Sequence, residues 1–254
     1  MKRVFLPAIL LVIALTSLAL GIRPAAAQQP GSILIWPINP VIEGTNRAAA
    51  LWLENPGKTP VTLQVRVYAW AQRDGRDAYA PQDEILGTPP IVSIQPGERQ
   101  LIRLTRTTPP PAVAEKSYRV IVDEIPVSTG PAAPGAAVSF RMRYSLPLFS
   151  YAQAAGHKGK TKIEPPAPVL GWRIGSDGEG RFLEIQNEGA GHARLTDVGF
   201  IAGATRSTVA EGLFGYVLPG ATMRWPLPAG IATEGDLVAA INGQNGSRVE
   251  RLPE

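Results

Sequence analysis

The stretch Val-Ser-Phe-Arg-Met-Arg-Tyr-Ser-Leu-Pro-Leu-Phe, residues 138–149, decides the fold. Its apolar residues fall on every second position and are Val138, Phe140, Met142, Tyr144, Leu146 and Leu148. A period of two is the period of a β-strand. Over the first half the alternate positions hold Ser and Arg, which predicts a strand with one apolar face and one solvated face.

The apolar row of this strand has two interpretations. It packs into the core of its own domain, which is the usual fate of such a row. Alternatively, Val138, Phe140 and Met142 lie near a sheet edge and are lent to another polypeptide by strand addition. The pattern alone does not choose between them.

The amino terminus reads as an export signal. Lys2 and Arg3 precede an apolar run that ends near Ile22, and Ala25-Ala26-Ala27 is a small-residue cleavage site. We therefore predict a signal peptide over residues 1–27, a mature chain that begins near Gln28, and a site of action outside the cytoplasm. An uncleaved anchor is the alternative, and no later segment is long and apolar enough to span a bilayer.

Charge and cysteine content exclude several classes of function. The formal charge of +4 falls to +1 once Lys2, Arg3 and Arg23 leave with the signal peptide, so a nucleic-acid-binding surface is not supported. The chain has no cysteine, which excludes disulfides and thiol chemistry. Apolar burial must therefore provide the stability of the fold.

Short alternating segments recur along the chain. Residues 61–70 alternate clearly, and residues 118–122 predict a further strand, expected to be a central one. Pro37 and Pro40 interrupt the first apolar segment, as prolines do on edge strands or where a strand switches sheets. Short strands between Pro- and Gly-containing turns, without an amphipathic helix, predict an all-β sandwich.

A polar segment divides the chain. Residues 152–168 read as a linker or exposed loop, so we place a domain boundary near Gln153. This predicts a first domain over residues 28–153 and a smaller β domain over residues 154–254.

The sequence offers little that supports catalysis or metal binding. His157 and His192 are the only histidines and lack cysteine partners, so we predict no metal site and no cofactor. Two carboxylate pairs, Asp74 with Asp77 and Asp83 with Glu84, fall in polar turns where solvated charge is the expected state. We predict no catalytic residue and no enzymatic activity.

Arginines on predicted strands are the remaining candidates. Arg103, Arg141 and Arg143 fit solvent-facing positions that discourage edge-to-edge association. Arg119 differs because it lies within the predicted central strand and needs an anion there. Its guanidinium can hold a carboxylate through two parallel hydrogen bonds, either on a bound peptide terminus or on Asp123 or Glu115.

Several segments together resemble the periplasmic chaperones of chaperone-usher pilus assembly. In order they are Asn55-Pro56, Thr88-Pro89-Pro90, Ile94-Gln95-Pro96-Gly97, Leu101-Ile102-Arg103-Leu104, Glu115-Lys116-Ser117-Tyr118-Arg119, Asp123-Glu124-Ile125-Pro126 and Arg143-Tyr144-Ser145-Leu146-Pro147-Leu148-Phe149. The resemblance implies two immunoglobulin-like domains set at an angle. It also implies a chaperone that lends its seventh strand to a pilin subunit and passes the subunit to an outer-membrane usher. Here the lent residues are Val138, Phe140 and Met142.

The chain departs from the family at the residues that grip the pilin's terminal carboxylate. Members carry an Arg late in the first strand and a Lys in the seventh, and these positions fall on Asn39 and Pro147. Arg119 and Arg143 are the predicted substitutes. Their sequence context resembles a divergent branch that serves spore-coat-like fimbriae.

Two other readings remain open. A two-domain surface adhesin or fimbrial subunit is the first, but an assembled subunit should lack a complete seven-stranded domain. An exported β-sandwich hydrolase is the second, and it requires a catalytic constellation that the sequence does not show.

Overall fold

The computed structural model describes residues 33–125, 141–152 and 165–253, and these form two β-sandwiches built from eighteen strands. The described residues contain no helix that is long and apolar enough to cross a membrane. The all-β prediction is confirmed.

The first sandwich contains ten strands. They are β1 (Leu34–Trp36), β2 (Val41–Ile42), β3 (Ala48–Glu54), β4 (Val61–Arg73), β5 (Arg76–Ala80), β6 (Ile85–Thr88), β7 (Ile91–Ile94), β8 (Arg99–Arg106), β9 (Glu115–Ile125) and β10 (Arg143–Tyr151).

These strands form two sheets with immunoglobulin topology. One sheet has the order β1-β3-β8-β6, and the other has the order β2-β10-β9-β4-β5 with β7 also paired to β4. The pattern matches the ABED and GFC sheets of an immunoglobulin-like sandwich. The predicted switch is observed, because β1 pairs with β3 and, after Pro37 and Pro40, β2 pairs with β10 in the opposite sheet.

The core of this sandwich follows from the alternation in the sequence. In β9, Tyr118, Val120 and Val122 point into the core, and β9 lies between β10 and β4 as the central strand that the sequence predicts. Leu146 and Leu148 of β10 belong to the same core. The opposite face of β9 is therefore free to carry polar and charged residues.

The second sandwich contains eight strands. They are β11 (Leu170–Asp177), β12 (Gly180–Asn187), β13 (Ala193–Ala202), β14 (Thr205–Val217), β15 (Thr222–Pro226), β16 (Asp236–Ile241), β17 (Gln244–Arg248) and β18 (Glu250–Arg251). Their sheets have the orders β15-β12-β11-β18 and β14-β13-β16-β17 and enclose a core around Trp172 and Phe200.

Several predicted features differ from the structure or lie outside the described residues. The strand predicted over residues 138–149 begins at Arg143 in the structure and continues to Tyr151. Val138 and Phe140, the signal peptide and the boundary near Gln153 lie outside the described residues. The sequence predicts a turn over residues 74–77, but in the structure only Asp74 and Gly75 form the turn, and their positive φ angles of 52° and 74° allow a tight reversal. Arg76 and Asp77 already belong to β5, which forms a hairpin with β4.

Candidate functional site

The candidate site lies on the face of β9 that points away from the core. Arg119 and Asp123 lie on this face, and in register they stand opposite Pro147 and Arg143 of β10. Arg119 also stands opposite Tyr68 of β4. Because residues in register share a face of the sheet, these side chains form one surface.

Arg119 lies where the two sandwiches meet. Its Cζ atom is 3.7 Å from the ring centroid of Trp70 in β4 and 5.3 Å from that of Tyr216 in β14. Both distances are within the range of cation–π attraction. The side chain is 11% exposed, so one part of the guanidinium still reaches solvent.

A carboxylate on the β5 hairpin lies beside Arg119. Asp77 Oδ1 accepts hydrogen bonds from Trp70 Nε1 at 2.8 Å and Gln72 Nε2 at 2.9 Å, and Oδ2 accepts one from Tyr79 Oη at 3.0 Å. Burial, and then the charge of Asp77, raise the pKa of the Tyr79 hydroxyl. Asp77 stays partly exposed, with 31% of its side chain accessible, but it lies in strand β5 and accepts hydrogen bonds from neighbouring side chains instead of standing alone in a turn.

The guanidinium of Arg119 keeps unused hydrogen-bonding capacity. Its Nη2 atom is 4.0 Å from Asp77 Oδ2, beyond hydrogen-bonding distance, and its buried Nε has no partner among the described residues. Neither Asp123 nor Glu115, the protein partners expected from the sequence, forms an ion pair with it in the described structure. Arg66 and Arg106 also have a buried Nε without a protein partner, so what distinguishes Arg119 is the part of its guanidinium that still reaches solvent beside aromatic rings.

The junction around Arg119 is built from both sandwiches. Trp70, Phe149 and Tyr151 of the first pack against Tyr216, Leu218 and Ala221 of the second in one apolar cluster. Glu115 in β9 is buried, and its Oε2 lies 2.8 Å from Nδ1 of His192, whose ring stacks on Phe149 at a centroid distance of 3.6 Å. This junction holds the face of β9 next to the second sandwich.

Arg143 occupies a different part of the same surface. Arg143 and Arg66 both bind Asp123. Burial alone would raise the pKa of Asp123, but the hydrogen bonds and charges of Arg143 and Arg66 outweigh it and lower that pKa. Arg143 lies four register positions from Arg119, which is about 13 Å along a strand, so the two predicted anchor residues occupy separate places on this surface.

Strand β10 has an open edge among the described strands. β2 pairs only with Phe149 and Ser150, so residues 143–148 have a partner on the β9 side alone. Met142 O accepts from Glu124 N of β9 at 3.1 Å, whereas Phe149 N donates to Pro40 O on the other side at 3.3 Å. Even-numbered residues of β10 therefore form backbone hydrogen bonds with β9, and the backbone N–H and C=O groups of its odd-numbered residues point to the open edge.

The two ends of this open edge differ. Pro147 is odd-numbered and has no N–H, so the edge loses a donor beside Arg119. At the other end Met142 precedes the strand and is 40% exposed. Val138 and Phe140, the other predicted donor-strand residues, lie outside the described residues.

Two further residues named from the sequence, Asn39 and Glu84, lie in the first sandwich. Asn39 is exposed in the connection between β1 and β2. Glu84, expected to be a solvated turn residue, instead pairs with Lys116 at 2.7 Å and accepts a hydrogen bond from Tyr118. The described residues contain no cluster of histidines and carboxylates that is suited to a metal ion.

Sequence reasoning missed the aromatic surroundings of Arg119. Tyr216 lies on a strand of the other sandwich, so no local pattern connects it to Arg119. Trp70 ends the alternating segment on its polar side, and that unusual place for a tryptophan was the one available signal.

Comparisons with known proteins agree with this architecture. The family model described as "Pili and flagellar-assembly chaperone, PapD N-terminal domain" matches residues 39–152. A comparison with curated protein sequences gave no significant match.

Solved structures give the most detailed likeness. A chain in the CsuC–CsuE chaperone–tip adhesion subunit pre-assembly complex of archaic chaperone-usher Csu pili from Acinetobacter baumannii is 32% identical, with a TM-score of 0.68, and the match covers 87% of this chain and all of that one. The Salmonella enterica SafA pilin–SafB chaperone complex gives 17% identity and a TM-score of 0.55, covering 88% and 96% of the two chains. The E. coli chaperone DraB gives 17% identity and a TM-score of 0.52, and the match covers 87% of this chain and 96% of that one. At 17% identity, the likeness to SafB–SafA and DraB shows the fold alone.

Two immunoglobulin-like sandwiches with an open-edged last strand in the first define a two-domain β-sandwich chaperone. The chain belongs to the PapD-like family of pilus-assembly chaperones.

Proposed function

We propose that this protein works in the periplasm, where it captures pilin subunits by donor-strand complementation and delivers them to an outer-membrane usher. The open edge of β10, which runs from Met142 to Pro147 opposite Arg119 of β9, is the observation that supports this proposal most directly. Its open backbone groups are the kind that an added strand requires.

The geometry predicts how the subunit strand binds. Pro147 interrupts the ladder of donors on the open edge beside Arg119, so an added strand ends most readily there. We assign the terminal carboxylate of the subunit to Arg119, whose guanidinium retains free donors. The subunit strand then extends towards Met142 and runs parallel to β10.

The side chains proposed to be lent to the subunit lie at the amino-terminal end of residues 138–149. Val138, Phe140 and Met142 have the parity of Leu146 and Leu148, which fill the core of the first sandwich. Met142 is 40% exposed, whereas Leu146 and Leu148 on the same face are buried. We propose that all three enter the core of the subunit.

Arg143 has a separate role in this arrangement. It lies with Arg66 and Asp123 in a cluster of net positive charge, about four residues before the subunit's end. We assign it to contacts along the subunit strand and leave the terminal carboxylate to Arg119.

An adhesin or fimbrial subunit is the alternative function. Such a subunit would need a strand from a neighbour, whereas β10 completes the first sandwich by pairing with β9 over the whole of residues 143–151. This observation favours the chaperone.

Strand donation is tested by the variant Phe140→Ser. If Phe140 is core, the change costs about 3 to 5 kcal/mol and lowers the melting temperature of the free protein. If it is lent, the melting temperature stays unchanged, and a pilin subunit co-expressed from the same genomic neighbourhood is no longer recovered from the periplasm. Leu148→Ser, which replaces a fully buried residue of the same strand, is the control that must lower the melting temperature.

A further inference from the structure

Arg119 belongs to the first sandwich, yet part of its surroundings comes from the second. Trp70 and Tyr216 lie edge-to-face, with ring centroids 5.5 Å apart and an interplanar angle of 78°. Arg119 lies within cation–π distance of both rings. The guanidinium therefore touches two aromatic side chains that meet across the domain junction.

Tyr216 is itself held in place from the first sandwich. Gln72 Nε2 donates to Tyr216 O at 2.9 Å, and Gln72 Oε1 accepts from Leu218 N at 2.8 Å. The same Gln72 amide donates to Asp77, the carboxylate beside Arg119. One side chain thus connects the backbone of Tyr216 to the hairpin that surrounds the arginine.

This arrangement restricts the guanidinium in a way that matters for carboxylate binding. A bidentate contact requires the plane of the guanidinium to be fixed, with its donor edge towards the ligand. Aromatic contacts to its face leave the edge accessible and displace water around the charge. Hydrogen bonds made in such a place are stronger than those made in bulk water.

We propose that Tyr216 is a positioning residue for carboxylate capture, so that the anchor is assembled from both domains. The inference rests on the proposed assignment of the subunit carboxylate to Arg119. Tyr216 does not touch the carboxylate. It acts through Arg119, by limiting the rotation of the guanidinium and shielding it from water.

A simpler role for Tyr216 is apolar packing in the junction, where it is 9% exposed. The two roles differ in what they require of the side chain. Packing tolerates a leucine, whereas cation–π contact requires a ring. The variants Tyr216→Leu and Tyr216→Phe separate them, because Phe retains the ring and Leu retains only apolar volume.

The experiment measures how far peptide affinity depends on a free terminal carboxylate. The probe is a short synthetic peptide of alternating apolar and polar residues, prepared with a free terminal carboxylate and as the terminal amide. Wild-type protein should bind the free acid about tenfold or more tightly than the amide, as expected for a charge-assisted contact. Tyr216→Leu should remove most of this ratio while leaving amide affinity unchanged, and Tyr216→Phe should retain it.

Tyr151→Leu is the matched control. Tyr151 lies in the same apolar cluster, and the aromatic contacts described for Arg119 are to Trp70 and Tyr216. This variant should lose comparable packing, seen as a similar change in melting temperature, and keep the wild-type ratio of acid to amide affinity.

The outcomes distinguish the inference from the function on which it rests. If wild-type protein binds both peptides equally, or neither, the carboxylate anchor itself is wrong and the role of Tyr216 falls with it. A second outcome is that wild-type protein and Tyr216→Leu both bind the free-acid peptide more tightly than the amide, whereas Arg119→Met binds the two equally. The carboxylate anchor then stands, and Tyr216 is only a packing residue. Equal loss in Tyr151→Leu also overturns the proposal, because general loosening of the junction would then explain the effect.

Discussion

Nη2 of Arg119 and Oδ2 of Asp77 are 4.0 Å apart, close enough for charge attraction and too far for a hydrogen bond. Asp77 instead accepts its hydrogen bonds from Trp70, Gln72 and Tyr79. The arginine therefore has a counter-ion that lowers its electrostatic cost without occupying its donors.

The first prediction concerns this counter-ion. In Asp77→Asn the negative charge that competes with a subunit carboxylate is gone, while a side-chain oxygen remains for Trp70 or Gln72. We expect affinity for the free-acid peptide to rise by about two- to fivefold, as for a partly exposed ion pair. Titration of the wild type and the variant with the free-acid peptide and the amide peptide measures this change in affinity.

Binding of the amide peptide should not change in Asp77→Asn, and the gain should disappear at about 1 M salt, where charges are screened within a few ångströms. Weaker binding of the acid form would mean that Asp77 orients Arg119 more than it competes for it.

The second prediction concerns a buried arginine in the first sandwich. Arg106 donates hydrogen bonds to Gly44 O at 2.7 Å, Asn46 O at 2.9 Å and Ser150 Oγ at 2.9 Å, and burial lowers its pKa. Arg106→Met leaves those acceptors without their donor. We expect a loss of about 2 to 4 kcal/mol in the free energy of unfolding, measured by urea titration.

Arg103→Met is the control for this variant, because Arg103 is an exposed residue of the same strand and should change stability little. A stability of Arg106→Met equal to the wild type would show that the desolvation of the arginine offsets its hydrogen bonds.

The third prediction concerns acid sensitivity. Hydrogen bonds from Lys116 and then Tyr118 hold the pKa of Glu84 below its ordinary value of 4.5. Because the folded-state pKa is lowered, this stabilisation is present above pH 4.5 and is lost as the pH falls through the folded-state pKa. Glu84→Gln should therefore be less stable than wild type at neutral pH and equally stable in acid.

Unfolding free energies measured from about pH 7 down to about pH 3 test this prediction. A stability difference between wild type and Glu84→Gln that does not change with pH would show that the variant acts through packing. Asp123, whose pKa is also lowered, keeps its own acid dependence in both proteins.

The fourth prediction concerns export. Lys2, Arg3, the apolar run and Ala25-Ala26-Ala27 predict removal of residues 1–27. Mass spectrometry of the exported protein should show a mature terminus near Gln28. A full-length species retained in the inner membrane would contradict it.

Local alternation explains why the central strand and the face on which Arg119 lies were predictable. Burial of Tyr118, Val120 and Val122 follows from a period of two, and that period places Arg119 on the opposite face. The anion-binding role of Arg119 stays a prediction, based on how unusual an arginine is on a central strand.

The surroundings of Arg119 were not predictable, because they depend on pairs that are far apart in sequence. Gln72 and Tyr216 are separated by 144 residues. Asp77 reads as a turn residue because hairpin composition is polar, and only the packing of the hairpin against Trp70 makes it a counter-ion. Contacts between domains leave no periodic signal in the chain.

The last prediction separates the two candidate anchors. Arg119→Met keeps an unbranched apolar side chain in the junction and removes the guanidinium that lies over Trp70, so the melting temperature should change little. Recovery of a co-expressed pilin subunit from the periplasm should be lost, because the subunit's terminal carboxylate has no partner. Arg143→Met removes a charge that is 68% exposed and about 13 Å away, so it should reduce recovery only modestly. The opposite result, with capture lost in Arg143→Met and kept in Arg119→Met, would place the carboxylate beside Asp123 at the other end of β10.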